Sequence, residues 1–163
     1  MPLITEAQVY DWLSAVTDPE VPVLTILDLG IVRDVHLNGE EVKVIITPTY
    51  SGCPAMDAIG MNIRLALAGH GLKKVDVDLQ LQPAWTTDWM TEEGKQKLKA
   101  YGIAPPGRLT RQQPLGLFED DIVPCPRCES TDTKLVSNFG ATSCKAAYVC
   151  NHCHEPFEHF KCH

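Results

Sequence analysis

The chain is poor in positive charge. Its 14 Lys and Arg stand against 21 Asp and Glu, giving a formal net charge of −7. Nucleic-acid binding depends on clustered cations that displace counterions from phosphates. A nucleic-acid partner is therefore not expected, even with a zinc-binding pattern in the chain. No apolar run approaches the roughly 20 residues needed to cross a bilayer. The opening MPLITEAQVYDWL lacks the basic start, apolar stretch and small-residue cleavage site of a secretory signal. We therefore expect a cytoplasmic protein without a membrane partner, in a reducing compartment where thiols stay free or hold metal. The glycine fingerprint of dinucleotide-binding folds, the phosphate loop and the ferredoxin-type cysteine run are also missing. So is the Glu and Glu-x-x-His set with which a helical bundle holds two irons. There is no internal repeat and no low-complexity run. These absences leave no recognisable catalytic machinery, and the chain is not expected to be an enzyme by itself.

Hydrophobic residues make up 44% and charged residues 21% of the 163 positions, a globular composition. The length suits one domain plus a small module. Seven cysteines are present, and all but Cys53 lie after residue 124.

Residues 5–16 read as a helix with Thr5 as N-cap and Val9, Trp12, Leu13 and Val16 on one face. It should stop before Asp18-Pro19, because the residue ahead of a proline avoids helical angles. Residues 31–37 and 41–47 alternate apolar and polar around Asn38-Gly39, the pattern of a β-hairpin. Residues 55–69 read as a second helix ending at Gly69 or Gly71. Residues 74–81 read as a third strand. Residues 91–100 read as a polar helix capped by Thr91. The fold class is thus α+β, with helices on one face of a small sheet. Residues 102–116, rich in Pro and Gly, read as an extended connector. The domains expected are 1–112 and 124–163, joined by a connector over about 102–123.

The second region carries Cys125-Pro126-Arg127-Cys128 and, after a gap of 21 residues, Cys150-Asn151-His152-Cys153. Each CxxC turn aims two thiolates at one point, and two turns complete a tetrahedron. TKLVS and AAYVC between them alternate as strands. A hairpin between two such turns is a zinc ribbon, and the expected cofactor is one structural zinc on Cys125, Cys128, Cys150 and Cys153. Redox cysteine pairs or scattered buried cysteines are the alternatives, but redox pairs call for a βαβ context that is missing here. Cys144, Cys162, His152, His154, His159 and His163 are left over. They are either a second metal site or a buried strand thiol with surface imidazoles.

Cys53 lies between a strand and a helix, where the helix dipole favours a thiolate. It reads as a nucleophile or soft metal ligand, or else as an inert turn residue. Asp18 and Glu20 flank Pro19 and could bind a metal or act as acid and base, or simply cap or solvate a turn. Trp85 and Trp89, and in the tail Phe157 and Phe160, are candidates for partner contact or for core packing.

The segments DPEVPVLTILDLGIVRDV (18–35) and TPTYSGCP (47–54) resemble the MIP18 or DUF59 family of iron–sulfur assembly factors. The matching positions are Asp18, Pro19, Glu20, Asp28, Leu29, Gly30, Thr47, Cys53 and Pro54. Together with PAWTTDW (83–89), the zinc ribbon and the ending FGATSCKAAYVCNHCHEPFEHFKCH, the whole chain resembles accessory subunits of the phenylacetyl-CoA epoxidase of aerobic phenylacetate degradation in bacteria. That resemblance implies a maturation role for iron–sulfur or di-iron centres in partner subunits, the iron–sulfur reductase subunit among them. It also implies transient handling of iron or an Fe–S cluster, for which Cys53, Asp18 and Glu20 are the candidates. A purely structural docking subunit is the competing reading.

Overall fold

A computed structural model describes residues 3–107 and 122–161. Two compact units divide between Gly94 and Lys95.

The first unit opens with α1 (Glu6–Leu13), whose capping box uses Thr5 and Gln8 reciprocally. The helix ends three residues before the position expected from its apolar face. Residues 16–18 are needed elsewhere: Val16 accepts the Ile26 N–H at 3.0 Å, and the Asp18 N–H donates to Leu24 at 2.9 Å. Strands β1 (Val32–Asn38) and β2 (Glu41–Ile46) form an antiparallel hairpin. Asn38 pairs with Glu41, so the turn residues are Gly39 and Glu40 and the turn sits one residue later than Asn-Gly suggested. Gly39 has φ +62°, a conformation open to glycine at little cost.

From β2 the chain crosses through α2 (Ala55–Ala68) to β3 (Lys74–Leu79), which lies parallel to β2. The sheet order is β1-β2-β3. Val42, Val44 and Ile46 point into the core while Glu41 and Lys43 face solvent, the period of two that the sequence displayed. Ile59, Ile63 and Leu67 line the buried face of α2, which packs on β3 and on α1. Gly71, with φ +90°, makes the reversal after α2, whereas Gly69 keeps helical angles.

After a short 3₁₀ turn at Thr87–Trp89 comes α3 (Glu92–Tyr101). Thr91 caps it by accepting the Gly94 N–H at 3.0 Å. The second unit holds a four-stranded sheet in the order β4-β7-β6-β5, from β4 (Ile103–Ala104), β5 (Thr133–Ser137), β6 (Lys145–Cys150) and β7 (Pro156–Phe160). The β5–β6 hairpin matches the two alternating stretches. Two strands had no sequence counterpart. Ile103–Ala104, inside the expected connector, pairs in parallel with β7, and β7 itself is made from the aromatic tail. Residues 108–121 of the connector, and Cys162 and His163, lie outside the described residues.

Among the described residues no helix is long and apolar enough to cross a membrane.

Candidate metal centre

The second unit brings Cys125, Cys128, Cys150 and Cys153 to one point, their sulfurs all within 4.8 Å of one another. Two matching turns do this. In the first, the Cys125 N–H donates to Ser130 at 2.9 Å, and in the second the Cys150 N–H donates to Glu155 at 3.0 Å. The residue after the last cysteine of each turn, Glu129 or His154, has φ 61°. That conformation costs a non-glycine residue about 1–2 kcal/mol. Its occurrence at the same place in both turns marks it as part of the turn's design.

The turns are tied together by ordinary contacts. Arg127 pairs with Glu155 at 3.2 Å. The Asn151 amide donates to Asp132 through its side chain at 2.8 Å and its backbone at 2.9 Å. Ala104, Val123 and Phe157 form a small core with Cys125 and Cys150, against which Tyr148 packs.

Cys125 and Cys153 sulfurs lie 3.7 Å apart, and those of Cys128 and Cys150 lie 3.5 Å apart. A tetrahedron of metal–sulfur bonds about 2.3 Å long has edges of about 3.8 Å. The donor set therefore fits a zinc ion in size and in chemistry. Without a cation, four thiolates cannot coexist at such distances. Although the Ser130 N–H favours its thiolate, burial and the neighbouring sulfurs push Cys128 up to about 12. The Cys153 N–H, helped by that of His152, draws Cys150 down to about 6 against the effect of burial.

The leftover groups are accounted for separately. Cys144 is buried, with its sulfur 3.0 Å from the Thr142 hydroxyl, and stands outside the sulfur cluster. His159 is buried and donates Nδ1–H to the Ala104 carbonyl at 3.1 Å. His152 and His154 are exposed.

In the first unit, half-buried Cys53 sits in the turn that starts α2. Its N–H donates to Tyr50 and its carbonyl accepts from Met56, both at 3.3 Å. Pro54 is the N-cap of α2, so Cys53 stands just outside the helix. Asp18 is buried, and its Oδ1 accepts the N–H groups of Glu20 at 2.7 Å and Val21 at 2.9 Å. It holds its own loop. Among the described residues, the ribbon cysteines are the group of three or more such ligands gathered as a ready-made metal site.

The Asp28-Leu29-Gly30 motif proves to be a clasp for the segment after β3. The Leu29 carbonyl accepts the Trp85 indole N–H at 2.8 Å. The Asp28 carbonyl accepts the Thr91 N–H at 2.9 Å, and its side chain accepts the Thr25 N–H at 3.0 Å. Trp85 is buried by this clasp, and Phe157 and Phe160 are buried in the ribbon. These three candidates for partner contact are core residues of their own units, because apolar area of that size stabilises a small module most when removed from water. Trp89 is half-buried under the Arg33 guanidinium, 3.7 Å from its ring centre. The exposed apolar groups are others, among them Phe139 and Val136 in the ribbon, Leu79 at the end of β3 and Leu81 after it, and Met61 and Leu65 on α2. Sequence reasoning also missed the buried Lys145, paired with Glu158 at 2.8 Å.

Comparison with known proteins agrees with this division. Residues 6–80 match the family described as iron–sulfur cluster assembly protein, and residues 110–161 match the PaaD zinc beta ribbon domain. An Escherichia coli protein named as a component of a 1,2-phenylacetyl-CoA epoxidase is 49% identical over 95% of this chain and 92% of its own. The chain belongs to the PaaD family. A Porphyromonas gingivalis Fe–S protein maturation auxiliary factor is 37% identical over 59% of this chain and 92% of its own. The crystal structure of a DUF59 domain from Bacillus anthracis superposes with a TM-score of 0.54 at 28% identity, covering 57% of this chain and 90% of that one. The fold is therefore α+β, an assembly-factor domain followed by a zinc ribbon.

Proposed function

We propose that this chain is an accessory, non-catalytic maturation subunit of a cytoplasmic phenylacetyl-CoA epoxidase system. It assists assembly of iron–sulfur or di-iron centres in partner subunits, with the iron–sulfur reductase subunit as the first client to test. The observation that carries this reading is the likeness to the Escherichia coli epoxidase component along 95% of the chain. The match of residues 6–80 to cluster-assembly proteins supports the maturation role.

In this reading Cys125, Cys128, Cys150 and Cys153 hold one structural zinc. Bound there, the ion supplies folding energy that a module this small cannot gain from apolar burial alone. Four thiolates leave no open position for a reacting water. The cargo, iron or an Fe–S cluster, is handled by Cys53 with Glu20 as the candidate carboxylate. A soft thiolate takes iron, and few fixed ligands let it leave again. Asp18, whose carboxylate is engaged by its own loop, serves this site by shaping the loop.

That engagement of Asp18 also favours the competing reading, a docking subunit with no cargo chemistry. One experiment separates the two. The epoxidase subunits are expressed with this chain, with its Cys53→Ser variant, or without it, and iron and sulfide are counted in the purified partners. Maturation predicts depleted partners with Cys53→Ser although the variant still co-purifies. Fully loaded partners with Cys53→Ser would sink the cargo role.

A further inference from the structure

The four cysteines of the ribbon are unevenly shielded. Cys125 and Cys150 are buried, Cys128 is half-buried and Cys153 is exposed. The cause is packing. Cys125 and Cys150 belong to the core with Ala104, Val123 and Phe157, and Cys128 packs against it. Cys153 ends the second turn between exposed His152 and His154. Cys150 also receives the Cys153 N–H at 3.5 Å, which draws electron density from that sulfur. An incoming electrophile therefore meets Cys153 first, and the sulfur placed to respond is Cys125, 3.7 Å away on the other turn.

We propose that Cys153 is the redox-reactive corner of the zinc site, and that a peroxide converts Cys153 and Cys125 into a disulfide and expels the metal. The inference rests on the zinc reading above. The Cys153 thiolate attacks one peroxide oxygen and the O–O bond breaks, leaving a sulfenic acid and hydroxide. The Cys125 thiolate then attacks the sulfenic sulfur. The S–S bond forms, the S–O bond breaks and a second hydroxide leaves. Two protons from solvent turn both hydroxides into water. The two sulfurs together lose two electrons and the peroxide gains them, while zinc stays divalent. The sulfurs must close from 3.7 Å to about 2.0 Å. Cys128 and Cys150 alone cannot retain the ion as four thiolates do, so oxidation unfolds the ribbon. An oxygen-handling partner would thus lose this subunit's ribbon as oxidant accumulates, and a dithiol with zinc would restore it.

The test uses the full-length, zinc-loaded chain. Elemental analysis first counts the zinc, and its absence overturns the zinc reading and this inference together. Hydrogen peroxide is then titrated in, zinc release is followed with a chromogenic chelator, and samples are quenched with N-ethylmaleimide for peptide mapping. The expected result is loss of the bound zinc in step with a Cys125–Cys153 crosslink. Zinc retained under excess peroxide, or a Cys128–Cys150 or within-turn disulfide formed first, overturns the inference and leaves the zinc reading standing. A brief iodoacetamide pulse on the loaded protein gives a second readout. Cys153 should be alkylated first of the four, and earlier labelling of any other ribbon cysteine counts against it.

Discussion

A Cβ placed on Gly30 would stand 2.2 Å from the carbonyl oxygen of Trp89. Gly30 also has φ +69°, so two independent constraints fall on one residue. The close approach lets Leu29 reach the Trp85 indole and lets Asp28 reach Thr91. Gly30→Ala must strain the left-handed backbone and push a main chain away. We expect a loss of about 3 kcal/mol or more, among the larger single-site effects. Urea denaturation of the purified variant checks this. A loss no larger than that of a surface Gly→Ala change would show that the 85–91 segment is free to yield.

Removal of metal should act on the second unit. A chelator strong enough to strip zinc, or Cys125→Ala, should collapse the amide dispersion of β5, β6 and β7 and leave that of residues 3–94 intact. The reason is that Cys125 and Cys150 are themselves members of the small ribbon core, so losing the ion exposes buried thiolates and apolar groups together. Heteronuclear NMR spectra before and after chelation, with readdition of zinc, decide the matter. A ribbon that stays folded without metal would assign its stability to packing.

Much of this was legible in the sequence because it is local. Strand alternation, the Thr5 and Thr91 caps and the paired CxxC turns each depend on residues a few positions apart. What escaped reading is long-range or depends on competition. Ile103–Ala104 makes too short a strand to show a period, and only pairing with β7 defines it. Trp85, Phe157 and Phe160 looked equally suited to a partner or a core, since side-chain type does not reveal what lies opposite. Asp18 reads as a ligand or a turn-former alike, and only the folded loop brings two backbone N–H groups to its Oδ1. The Asp28-Leu29-Gly30 motif was visible as a motif, but nothing nearby in sequence disclosed that its partners lie about residue 90.

Lys145 is 5% exposed and Glu158 is its partner at 2.8 Å, with the Ala141 N–H on the same carboxylate at 2.8 Å. Burial alone would raise the Glu158 carboxyl, yet the Ala141 N–H and the Lys145 ammonium hold it below its ordinary 4.5. A carboxyl depressed on folding adds stability above its unfolded pKa, and that stability is lost as pH falls through the folded one. Glu158→Gln should therefore cost the ribbon about 2 kcal/mol at neutral pH, a buried-pair value discounted for the partial exposure of Glu158. The cost should be constant from about pH 8 to 6 and shrink in acid, below the ordinary carboxylate range. Both proteins shed zinc in acid as their thiolates protonate, so the difference between the two is the informative quantity. Thermal unfolding of both across this range measures it. A gap that widens in acid would contradict the assignment.

Thr47 follows β2 directly and is 1% exposed, and its N–H donates to Ile31 at 2.8 Å. Its hydroxyl is buried with no hydrogen-bond partner. A buried hydroxyl without a partner costs about 1–3 kcal/mol, whereas an apolar group of the same shape costs nothing of the kind. Thr47→Val keeps the volume and the β-branch, so it should be neutral or stabilise the first unit by about 1 kcal/mol. Retention of threonine would then call for a reason outside stability. Thr47 leads the TPTYSGCP segment that carries Cys53, so the function to test is cargo handling. Two measurements on Thr47→Val are needed: urea stability of the chain, and iron and sulfide content of co-expressed epoxidase subunits. Unchanged or raised stability with depleted partners would assign the hydroxyl to the cargo. A fall in stability of more than about 1 kcal/mol would show instead that the hydroxyl is satisfied in solution, most simply by a buried water, and that the fold itself uses it.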